Sequence, residues 1–586
     1  MSTTPVPPAS PVRARRLLAF LVLTVGGAAL AGTLASTASP QTSAAAPSAA
    51  AKGPLLTAAT LAQAELFGLD PEPWQDPPKA ERVPGQPFPL VIDFARNTVR
   101  VGEDGRRQSV NLRAYNGALV GPTFRVKPGE TLLIDVVNRL PKGPGAENPH
   151  AHSAEHCGVP NPEPINTTNL HTHGLHVSPS GNGDNVLRVI QPGGPTAKPE
   201  PYVLPILPAG NPPGEPPMEH YPGTLWYHAH LHGSTAAQLA SGMAGALLVE
   251  GDIDEIPQVK AAHERIFVFQ QLAFDKDGEV KSINDLFNNW VGDKAGAPPK
   301  YGPPKYTTIN GVTKPVIVMA RRQVERWRMI HGGIFEMLYL SLHKKDNPGQ
   351  TLPFHLLALD GITMKQVAAW QEIELGPGYR AEALVQAPDQ PGEYLLYKKK
   401  PSLSLLALGA APGAAETDDS QIIAVVRVED RSCAPPSCST HNLDPGTKLP
   451  APLPDIQAAE VQPPAKSITF SFDGGNFKIN DHCFLPDQVL PEFDLKKGRV
   501  EEWVLKNTSD GIHPFHIHVN PFQVVNPDGT PGVWRDTLII QPKEQNLRVR
   551  TRIERFTGRF VTHCHILIHE DKGMMQLVEV SDPKAQ

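Results

Sequence analysis

A turn followed by two strands recurs three times along this chain of 586 residues. The copies are "YNGALVGPTFRVKPGETLLIDVVN" from Tyr115, "INGVTKPVIVMARRQVERWRMIH" from Ile309 and "INDHCFLPDQVLPEFDLKKGRVEEWVLKN" from Ile479. Each begins with a turn-forming Asn dipeptide, and apolar residues then alternate as they do on half-buried strands. The copies start 194 and 170 residues apart, far more than solenoid units of roughly 20–50 residues. The repeat predicts three β-sandwich domains, near residues 85–255, 260–430 and 463–586.

The composition agrees with an all-β chain. Its 63 prolines and 49 glycines favour many turns and few long helices. The Pro-rich segment 431–462 is interpreted as a linker between the second and third domains. A net charge of −6, without a block of Lys or Arg beyond the N-terminus, argues against nucleic acid as a partner.

The first 31 residues have the pattern of a signal peptide. Arg13, Arg15 and Arg16 precede the apolar run "LLAFLVLTVGGAAL", which ends in an A-x-A cleavage pattern at Ala29–Ala31. Residues 32–84 are interpreted as a disordered tether and lead-in, because their first part is rich in Ala, Ser, Thr and Pro. The protein is therefore predicted to be exported to the periplasm, the cell surface or the medium, and to contact a membrane only if this leader is not cleaved.

Five cysteines suit an oxidising compartment but leave one unpaired. Cys433 and Cys438, in the loop "SCAPPSC", either close a small disulfide or remain free thiols on the sequence alone. Cys157 and Cys483 are either paired or free on the sequence alone. Cys564 is left over.

Histidines separated by one residue are the strongest chemical signal. The 22 histidines should give about one H-x-H triplet by chance, and the chain has six. His150 and His152 lie in a polar loop and are interpreted as surface residues. The other five triplets stand at the ends of strand-like segments, and one of them, His230 and His232, overlaps another. They give four pairs: His171 and His173, His228 and His230, His516 and His518, His563 and His565.

Strand geometry gives these four pairs a meaning. Alternate residues on a strand point to the same face, so each pair directs two imidazoles the same way. Imidazole suits copper, zinc, iron or nickel, and eight nitrogens are too many for one tetrahedral zinc ion. The first two pairs lie in the first domain and the last two in the third. A cluster of several metals at a domain interface is therefore predicted.

The segment "VTHCHILIHEDKGMM" from Val561 predicts a second site. By the same alternation, Cys564 points away from His563 and His565. Its candidate partners are His569, His513 and a methionine. Two histidines, a thiolate and a weak thioether form the trigonal set that holds blue, electron-transferring copper.

These motifs give the chain a specific likeness. It resembles the three-domain multicopper oxidases, the laccase-like enzymes, along nearly its whole length after the leader. "HCHILIHEDKGMM" looks most like the bacterial members, including spore-coat laccases and copper-efflux oxidases. The resemblance implies three cupredoxin-like Greek-key β-sandwiches, of which the second is a spacer, and four copper ions per chain.

The resemblance also implies a role for each ligand. The type-2 copper would be held by His171 and His516, and the type-1 copper by His513, Cys564 and His569 with Met574 as axial ligand. The two type-3 coppers would be held by the remaining six: His173, His228, His230, His518, His563 and His565. Met575, His176 and His232 fall outside the pattern and are interpreted as core or supporting residues.

Two acids are candidate catalytic residues. Reducing dioxygen to water takes four electrons and four protons, so protons must reach the cluster. Glu570, directly after His569, matches a family acid placed to supply them. Asp184, in "SGNGDN", resembles an acid near the type-2 copper, although its spacing from His173 is longer than the family pattern.

Three functions remain open at this level. The leading hypothesis is a monomeric oxidase that takes electrons from phenols or aromatic amines and delivers them to dioxygen. A cuprous-ion oxidase is the alternative. Soft thioethers would select Cu(I), but only nine methionines occur, scattered along the chain. Mn(II) and bilirubin are further candidate donors. A non-catalytic copper-binding envelope protein is the third, which filled ligand positions disfavour.

Overall fold

A computed structural model describes residues 72–583 apart from 102–105, 147–156, 209–219, 284–285, 287–305, 400–420, 434–437, 451–452 and 474. The predicted signal peptide, most of the tether, and His150 and His152 lie outside these residues. Within them the predicted all-β fold is confirmed, and no helix combines the length and the apolar character needed to cross a bilayer.

The three turns of the repeat share one geometry. Asn116, Asn310 and Asn480 all have positive φ, at 52°, 54° and 51°, and the residue after each also has positive φ. Each Asn side chain accepts a backbone hydrogen bond from the strand that pairs with the one directly before the Asn. These bonds run from Val91 to Asn116 at 2.8 Å, from Val268 to Asn310 at 2.8 Å and from Thr469 to Asn480 at 2.7 Å. Asn is favoured here because it tolerates positive φ while its amide bonds the neighbouring backbone.

The first group of strands forms two four-stranded sheets. A short strand, β1 (Glu72–Pro73), precedes the group and pairs with a later strand. The others are β2 (Phe88–Val101), β3 (Arg106–Tyr115), β4 (Gly121–Val126), β5 (Thr131–Asn138), β6 (His171–His173), β7 (Glu200–Pro205), β8 (Gly223–His228) and β9 (Ala244–Val249). The sheet orders are β3-β2-β5-β7 and β4-β9-β8-β6.

The second group forms a six-stranded and a seven-stranded sheet. Its strands are β10 (His263–Leu272), β11 (Tyr306–Ile309), β12 (Pro315–Arg321), β13 (Val324–His331), β14 (Leu338–Lys344), β15 (Asn347–Leu352), β16 (Phe354–Leu359), β17 (Ile362–Trp370), β18 (Glu372–Leu375), β19 (Arg380–Gln386), β20 (Gly392–Lys399) and β21 (Gln421–Ser432). The orders are β11-β10-β13-β19-β16-β17 and β1-β12-β21-β20-β14-β15, with β18 also on β14. Residues of the predicted lead-in thus add β1 to a sheet of the second group.

The third group forms a six-stranded and a five-stranded sheet. Its strands are β22 (Lys466–Asp473), β23 (Asn476–Ile479), β24 (Val489–Lys496), β25 (Val500–Asn507), β26 (His513–Ile517), β27 (Phe522–Val525), β28 (Pro531–Arg535), β29 (Thr537–Ile540), β30 (Leu547–Arg552), β31 (Gly558–Cys564) and β32 (Met575–Ser581). The orders are β23-β22-β25-β30-β27-β28 and β24-β32-β31-β26-β29.

Besides 3₁₀ turns at Gly194–Thr196, Asp252–Glu255 and Ala458–Glu460, the described residues contain three short α-helices, two of which adjoin histidine pairs. They are α1 (Thr235–Ala240), α2 (Pro257–Ala261) and α3 (Leu567–Asp571). The carboxylate of Asp571, at the end of α3, accepts bonds from the backbone N–H groups of Gly233 at 2.6 Å and Ala236 at 2.7 Å. Because these N–H groups lie at the unsatisfied start of α1, the carboxylate caps that helix and joins the first group of strands to the third.

Candidate metal centre

Two pairs of neighbouring strands supply the eight histidines of the four pairs. In the first group, β6 runs antiparallel to β8, with His171 opposite His228. In the third, β26 runs antiparallel to β31, with His516 opposite His563. Within each H-x-H pair the ring centroids lie 5.0–5.6 Å apart. All eight side chains are brought into one buried cluster, as the strand pattern predicted.

The two halves of the cluster stack on each other. The ring of His171 lies 3.9 Å from that of His518 at an interplanar angle of 7°. The ring of His173 lies 3.9 Å from that of His516 at 14°. The cluster therefore lies between the first and third groups of strands.

Three ring nitrogens converge on one point. The Nε2 atoms of His230, His518 and His563 are separated by 3.0, 3.1 and 3.3 Å. A point equidistant from such a triangle lies about 1.8 Å from each corner, close to the roughly 2.0 Å of a metal–imidazole bond. One metal ion suits this triangle better than three mutual hydrogen bonds, because a neutral ring has only one N–H.

The remaining cluster nitrogens leave room for further ions. Nδ1 of His173 lies 3.3 Å from Nε2 of His565. The Nε2 atoms of His171, His228 and His516 are buried without a hydrogen-bond partner among the described residues. Unsatisfied buried polar atoms are costly and rare, so several together at one place indicate a bound group. The donor set fits copper, for which imidazole is a preferred ligand.

Outward-facing nitrogens have partners that fix the ring tautomers. Nδ1 of His171 donates to Asp184 at 2.8 Å, that of His228 to the Ala229 carbonyl at 2.8 Å, and that of His516 to the Asp536 carbonyl at 2.7 Å. In each ring Nε2 is therefore unprotonated, and its lone pair faces the cluster. Such partners orient metal-binding histidines and raise their basicity.

The two predicted catalytic acids both contact cluster histidines. Asp184 bonds His171 and also accepts the backbone N–H of Thr172 at 2.8 Å. Burial raises the pKa of Asp184 to about 7, although the bonds from Thr172 lower it. Glu570 has one carboxylate oxygen 3.0 Å from Nδ1 of His563 and the other 3.5 Å from Nδ1 of His230. Burial opposes its charge, but its contacts with the His230 and His563 rings outweigh burial and lower the pKa of Glu570.

Burial keeps the cluster imidazoles neutral. It is the largest cause that lowers the pKa of His228 to about 3 and that of His230 to about 4, and mutual repulsion of like charges adds to it. The pKa values of His171, His516 and His518 are shifted in the same direction for the same reasons. A neutral ring has a free lone pair, so the unprotonated, metal-binding form is favoured.

Cys564 lies in a second site on the other side of its strand. Its Sγ is 3.5 Å from Nδ1 of His513 and 3.6 Å from Nδ1 of His569. The flanking His563 and His565 point into the eight-histidine cluster instead. Two nitrogens and a sulfur at these separations form a trigonal set for one soft metal ion. Burial raises the pKa of the Cys564 thiol above its ordinary range, which a bound cation would reverse.

The methionines near this second site differ in position. Met574 is buried; its backbone N–H donates to the His569 carbonyl at 2.9 Å and its carbonyl accepts from Cys564 N–H at 3.0 Å. Its backbone is therefore bonded to both neighbouring ligand candidates. Met575 belongs to a separate apolar cluster with Val561 and Leu577, as expected of a core residue.

Aromatic rings connect the second site to the surface. The ring of His569 stacks on Phe477, with centroids 4.0 Å apart. Phe477 in turn contacts the ring of Phe472 at 4.5 Å. Phe472 is 44% exposed, whereas His569 is 1% exposed. Nε2 of His569 has no hydrogen-bond partner among the described residues.

Both candidate disulfides are formed. Cys433 pairs with Cys438, and Cys157 pairs with Cys483, while Cys564 is a buried free thiol. The second bridge joins a loop before β6 to a loop that packs on Gly573, next to Met574; a Cβ at Gly573 would lie 3.2 Å from that of Cys483.

His176 and His232, which stand beside the ligand motifs in the sequence, have supporting positions. His176 is buried and its Nδ1 donates to the Val519 carbonyl at 2.8 Å. The ring of His232 contacts that of Phe484 with centroids 4.9 Å apart.

Sequence reasoning missed the residues that border the cluster from outside, including Thr537, whose Oγ1 lies 3.3 Å from Nε2 of His173. Asp536 approaches Nε2 of His173 at 3.3 Å, and Arg380 pairs with Asp536. A Cβ at Gly378 would lie 2.7 Å from the His565 ring. Arg380 and Gly378 belong to the second group, so the predicted spacer also borders the cluster. No repeated spacing distinguishes these residues in the sequence.

A family model described as "Multicopper oxidase" matches residues 460–584. This segment contains β22–β32 and all the candidate ligands after position 460. The match therefore covers the second site and half of the cluster.

Curated relatives match over most of the chain. A laccase of Haloferax volcanii is 28% identical over 502 residues, which cover 80% of this chain and 78% of the relative. A multicopper oxidase of Staphylococcus haemolyticus is 25% identical over 495 residues, covering 80% and 84%. A solved multicopper oxidase of Campylobacter jejuni, described as a metallo-oxidase, is 22% identical with a TM-score of 0.63, covering 87% of this chain and 96% of that one. The last similarity shows that the two proteins share a fold built of cupredoxin-like domains.

Proposed function

We propose that this chain is a multicopper oxidase, a copper-dependent oxidoreductase that uses dioxygen, and that it oxidises phenols or aromatic amines as a laccase does. The observation that carries the proposal is the arrangement around Cys564. Its sulfur lies in one candidate site, and both residues bonded to it in the chain direct their rings into the other. A single peptide segment thereby links an electron entrance to a dioxygen-reducing cluster.

We assign one copper ion to His513, Cys564 and His569, with Met574 as the axial ligand. Three further ions are assigned to the cluster: a type-2 ion to His171 and His516, and a type-3 pair to the other six histidines. The convergent His230, His518 and His563 nitrogens support one ion of that pair. Bound copper supplies the one-electron chemistry, because it changes oxidation state without leaving its ligands.

Two buried acids have roles in this proposal, one in proton transfer and one in orienting a histidine. Glu570, in contact with His230 and His563, accepts protons from the interior and passes them to the reduced oxygen atoms. Asp184 holds His171 in the tautomer whose Nε2 faces the cluster. Both carboxylates are buried, so their positions are fixed by these contacts rather than by solvent.

The path from Phe472 through Phe477 to His569 favours aromatic donors over cuprous ion. An aromatic donor at Phe472 meets a ring surface that continues by contact to a proposed copper ligand, and aromatic pairs gain roughly 0.5–1.5 kcal/mol beyond area burial. Cu(I) would instead need soft thioethers. All seven methionines among the described residues are buried or partly buried, so none presents an exposed thioether there.

The two disulfides support export. Disulfides persist in oxidising compartments such as the periplasm or the medium. Together with the signal-like leader they support the proposal that the protein is exported.

The test begins with copper loading of the purified protein. We expect four copper ions per chain, strong visible absorption from the thiolate-bound ion, and oxygen uptake with a phenol that exceeds uptake with Cu(I), Mn(II) or bilirubin. Cys564→Ser should bind three ions, lose the visible absorption and take up no oxygen with a phenol. Copper binding without oxygen uptake for any donor would instead support a non-catalytic envelope protein, and fastest uptake with Cu(I) would support the metal-ion oxidase.

A further inference from the structure

Arg380 is a fully buried cation at the edge of the cluster. It comes from β19 in the second group, which contributes none of the proposed copper ligands. Its guanidinium pairs with both carboxylate oxygens of Asp536, with Nη1 to Oδ1 at 2.8 Å. The remaining donors reach backbone carbonyls: Gly378 at 2.8 Å, Asp360 at 2.7 Å and Thr224 at 3.3 Å. A planar, bidentate fork of this kind fixes the carboxylate in orientation as well as position.

Asp536 faces His173, whose ring is turned the opposite way from those of its neighbours in the cluster. His171, His228 and His516 direct Nε2 inward, whereas His173 has its Nδ1 3.3 Å from Nε2 of His565. Its Nε2 points outward and lies 3.3 Å from Oδ1 of Asp536. For Nδ1 to offer a lone pair to a metal ion, Nε2 must carry the proton and needs an acceptor. Asp536 is the charged acceptor there; Oγ1 of Thr537 also lies 3.3 Å from Nε2 and donates to Oδ1 of Asp536 at 2.9 Å.

The neighbouring backbone is shaped around this ion pair. Gly174, directly after His173, has a positive φ of 89°, and a Cβ there would lie 2.6 Å from Nη2 of Arg380 and 3.0 Å from Oδ2 of Asp536. No side chain fits at position 174 while the pair is in place. The glycine of "HTHG" thus admits a residue of the second group to the back of a cluster histidine.

Asp360 accepts hydrogen bonds from the backbones of both residues of the ion pair, Arg380 and Asp536. Its Oδ1 accepts the Arg380 backbone N–H at 3.1 Å, and its Oδ2 accepts the Asp536 backbone N–H at 3.2 Å. The Asp536 carbonyl accepts Nδ1 of His516 at 2.7 Å. The hydrogen-bonded group of Arg380, Asp536 and Asp360 therefore contacts two proposed ligands. They are His173 of the type-3 pair and His516 of the type-2 ion.

We propose that Arg380 is a positioning residue for the cluster, which aims the Asp536 carboxylate at Nε2 of His173 and so fixes that ring with Nδ1 toward copper. The inference rests on the proposed function, because it concerns the ions assigned to the cluster. It gives the second group a part in copper binding through Asp536 rather than by direct ligation.

The test compares Arg380→Lys and Arg380→Met with Arg328→Met. Lysine keeps the charge but lacks the fork, and methionine removes both. Arg328 is an equally buried arginine of the second group whose ion pairs are with Glu382 and Glu264 rather than Asp536. Each protein is stripped of copper and titrated with chelator-buffered copper, which measures the affinity of the cluster separately from that of the Cys564 site.

Loss of a partner that orients a metal ligand typically costs 10–100-fold in metal affinity. We expect both Arg380 variants to lose about that much affinity at the cluster, with altered type-2 electron paramagnetic resonance and unchanged visible absorption. Arg328→Met should lower the unfolding temperature of the copper-free protein without changing either affinity. Wild-type cluster affinity in Arg380→Lys, or an equal loss at both sites, would overturn the proposal. Should wild-type protein fail to bind four ions, the proposed function itself would be refuted instead.

Discussion

A carboxylate oxygen of Glu570 lies 3.0 Å from Nδ1 of His563 in the protein interior. The acid follows His569, a candidate ligand of one site, while His563 belongs to the other. Glu570 therefore lies between the two candidate sites, which is where the proposed function requires a proton carrier.

Glu570→Gln keeps the shape of this side chain and removes its proton-carrying capacity. We expect reoxidation of the fully reduced enzyme by dioxygen to slow about 100-fold, because a positioned acid or base typically contributes 10²–10⁴-fold. Reduction by a phenol and the visible absorption should remain, since Cys564 faces the other way. Stopped-flow reduction without oxygen, followed by mixing with oxygen, separates the two steps. Glu579→Gln, which changes a partly exposed acid of β32, is the control; equal reoxidation rates in all three proteins would remove the role of Glu570.

Phe472→Ala tests the aromatic entrance. Removing one exposed ring should raise KM for phenols about 2- to 10-fold, which corresponds to the roughly 0.5–1.5 kcal/mol of an aromatic contact, with little change in stability. Oxidation of an inorganic donor such as ferrocyanide should be unaffected. Val203→Ala removes another exposed apolar side chain, in the first group, and should change neither donor. An unchanged KM for phenols in Phe472→Ala would place their binding elsewhere.

Asp571→Ala should destabilise the copper-free protein by about 2 kcal/mol, because it removes the cap of α1 and leaves two buried N–H groups without acceptors. Asp571→Asn retains one oxygen acceptor and should lose less. Thermal unfolding of the copper-free proteins measures both. If the alanine and asparagine variants unfold with wild type, the bond between α3 and α1 does not contribute to the contact between the first and third groups.

Glu264 predicts a specific response to acid. It lies 2.6 Å from Nε of Arg328 and also pairs with Arg125. Burial opposes its charge, but Arg328 and Arg125 outweigh burial and lower the pKa of Glu264 to about 2 from 4.5. A folded-state pKa below the unfolded value contributes stability that is complete above about pH 4.5 and is lost as the pH falls toward 2.

The free energy of unfolding of wild-type protein and of Glu264→Gln should therefore differ most near neutral pH, by at most about 3 kcal/mol. The difference should shrink steadily between pH 4.5 and 2. Denaturant unfolding of the copper-free proteins at a series of pH values measures it, with the exposed Glu81→Gln as control. A difference that stays constant across this range would mean that the charge of Glu264 is not what stabilises the fold.

Much of the candidate site follows from local sequence. Alternation on a strand has a period of two residues, so the opposite directions of Cys564 and His563 can be deduced without knowing any other part of the chain. The three Asn turns are equally local, because positive φ is a property of one or two residues. Each of the four H-x-H pairs is likewise a local pattern of three residues, so each could be recognised without the others.

Contacts between distant segments could not be deduced in this way. Cys157 and Cys483 are separated by 326 residues, and the sequence left their pairing open. A lone arginine such as Arg380 has no spacing that distinguishes it from a surface residue, and neither does Asp536. Their roles depend on which carbonyls and carboxylates the fold brings within about 3 Å.

The sequence by itself determined which side chains are candidate copper ligands and which way each points from its own strand, because both depend on neighbours along the chain. The tertiary structure alone decided which rings meet, which nitrogen of each ring faces inward, and that the second group reaches the cluster through Arg380. Those outcomes depend on packing between elements far apart in sequence, where a displacement of one ångström changes which hydrogen bonds can form.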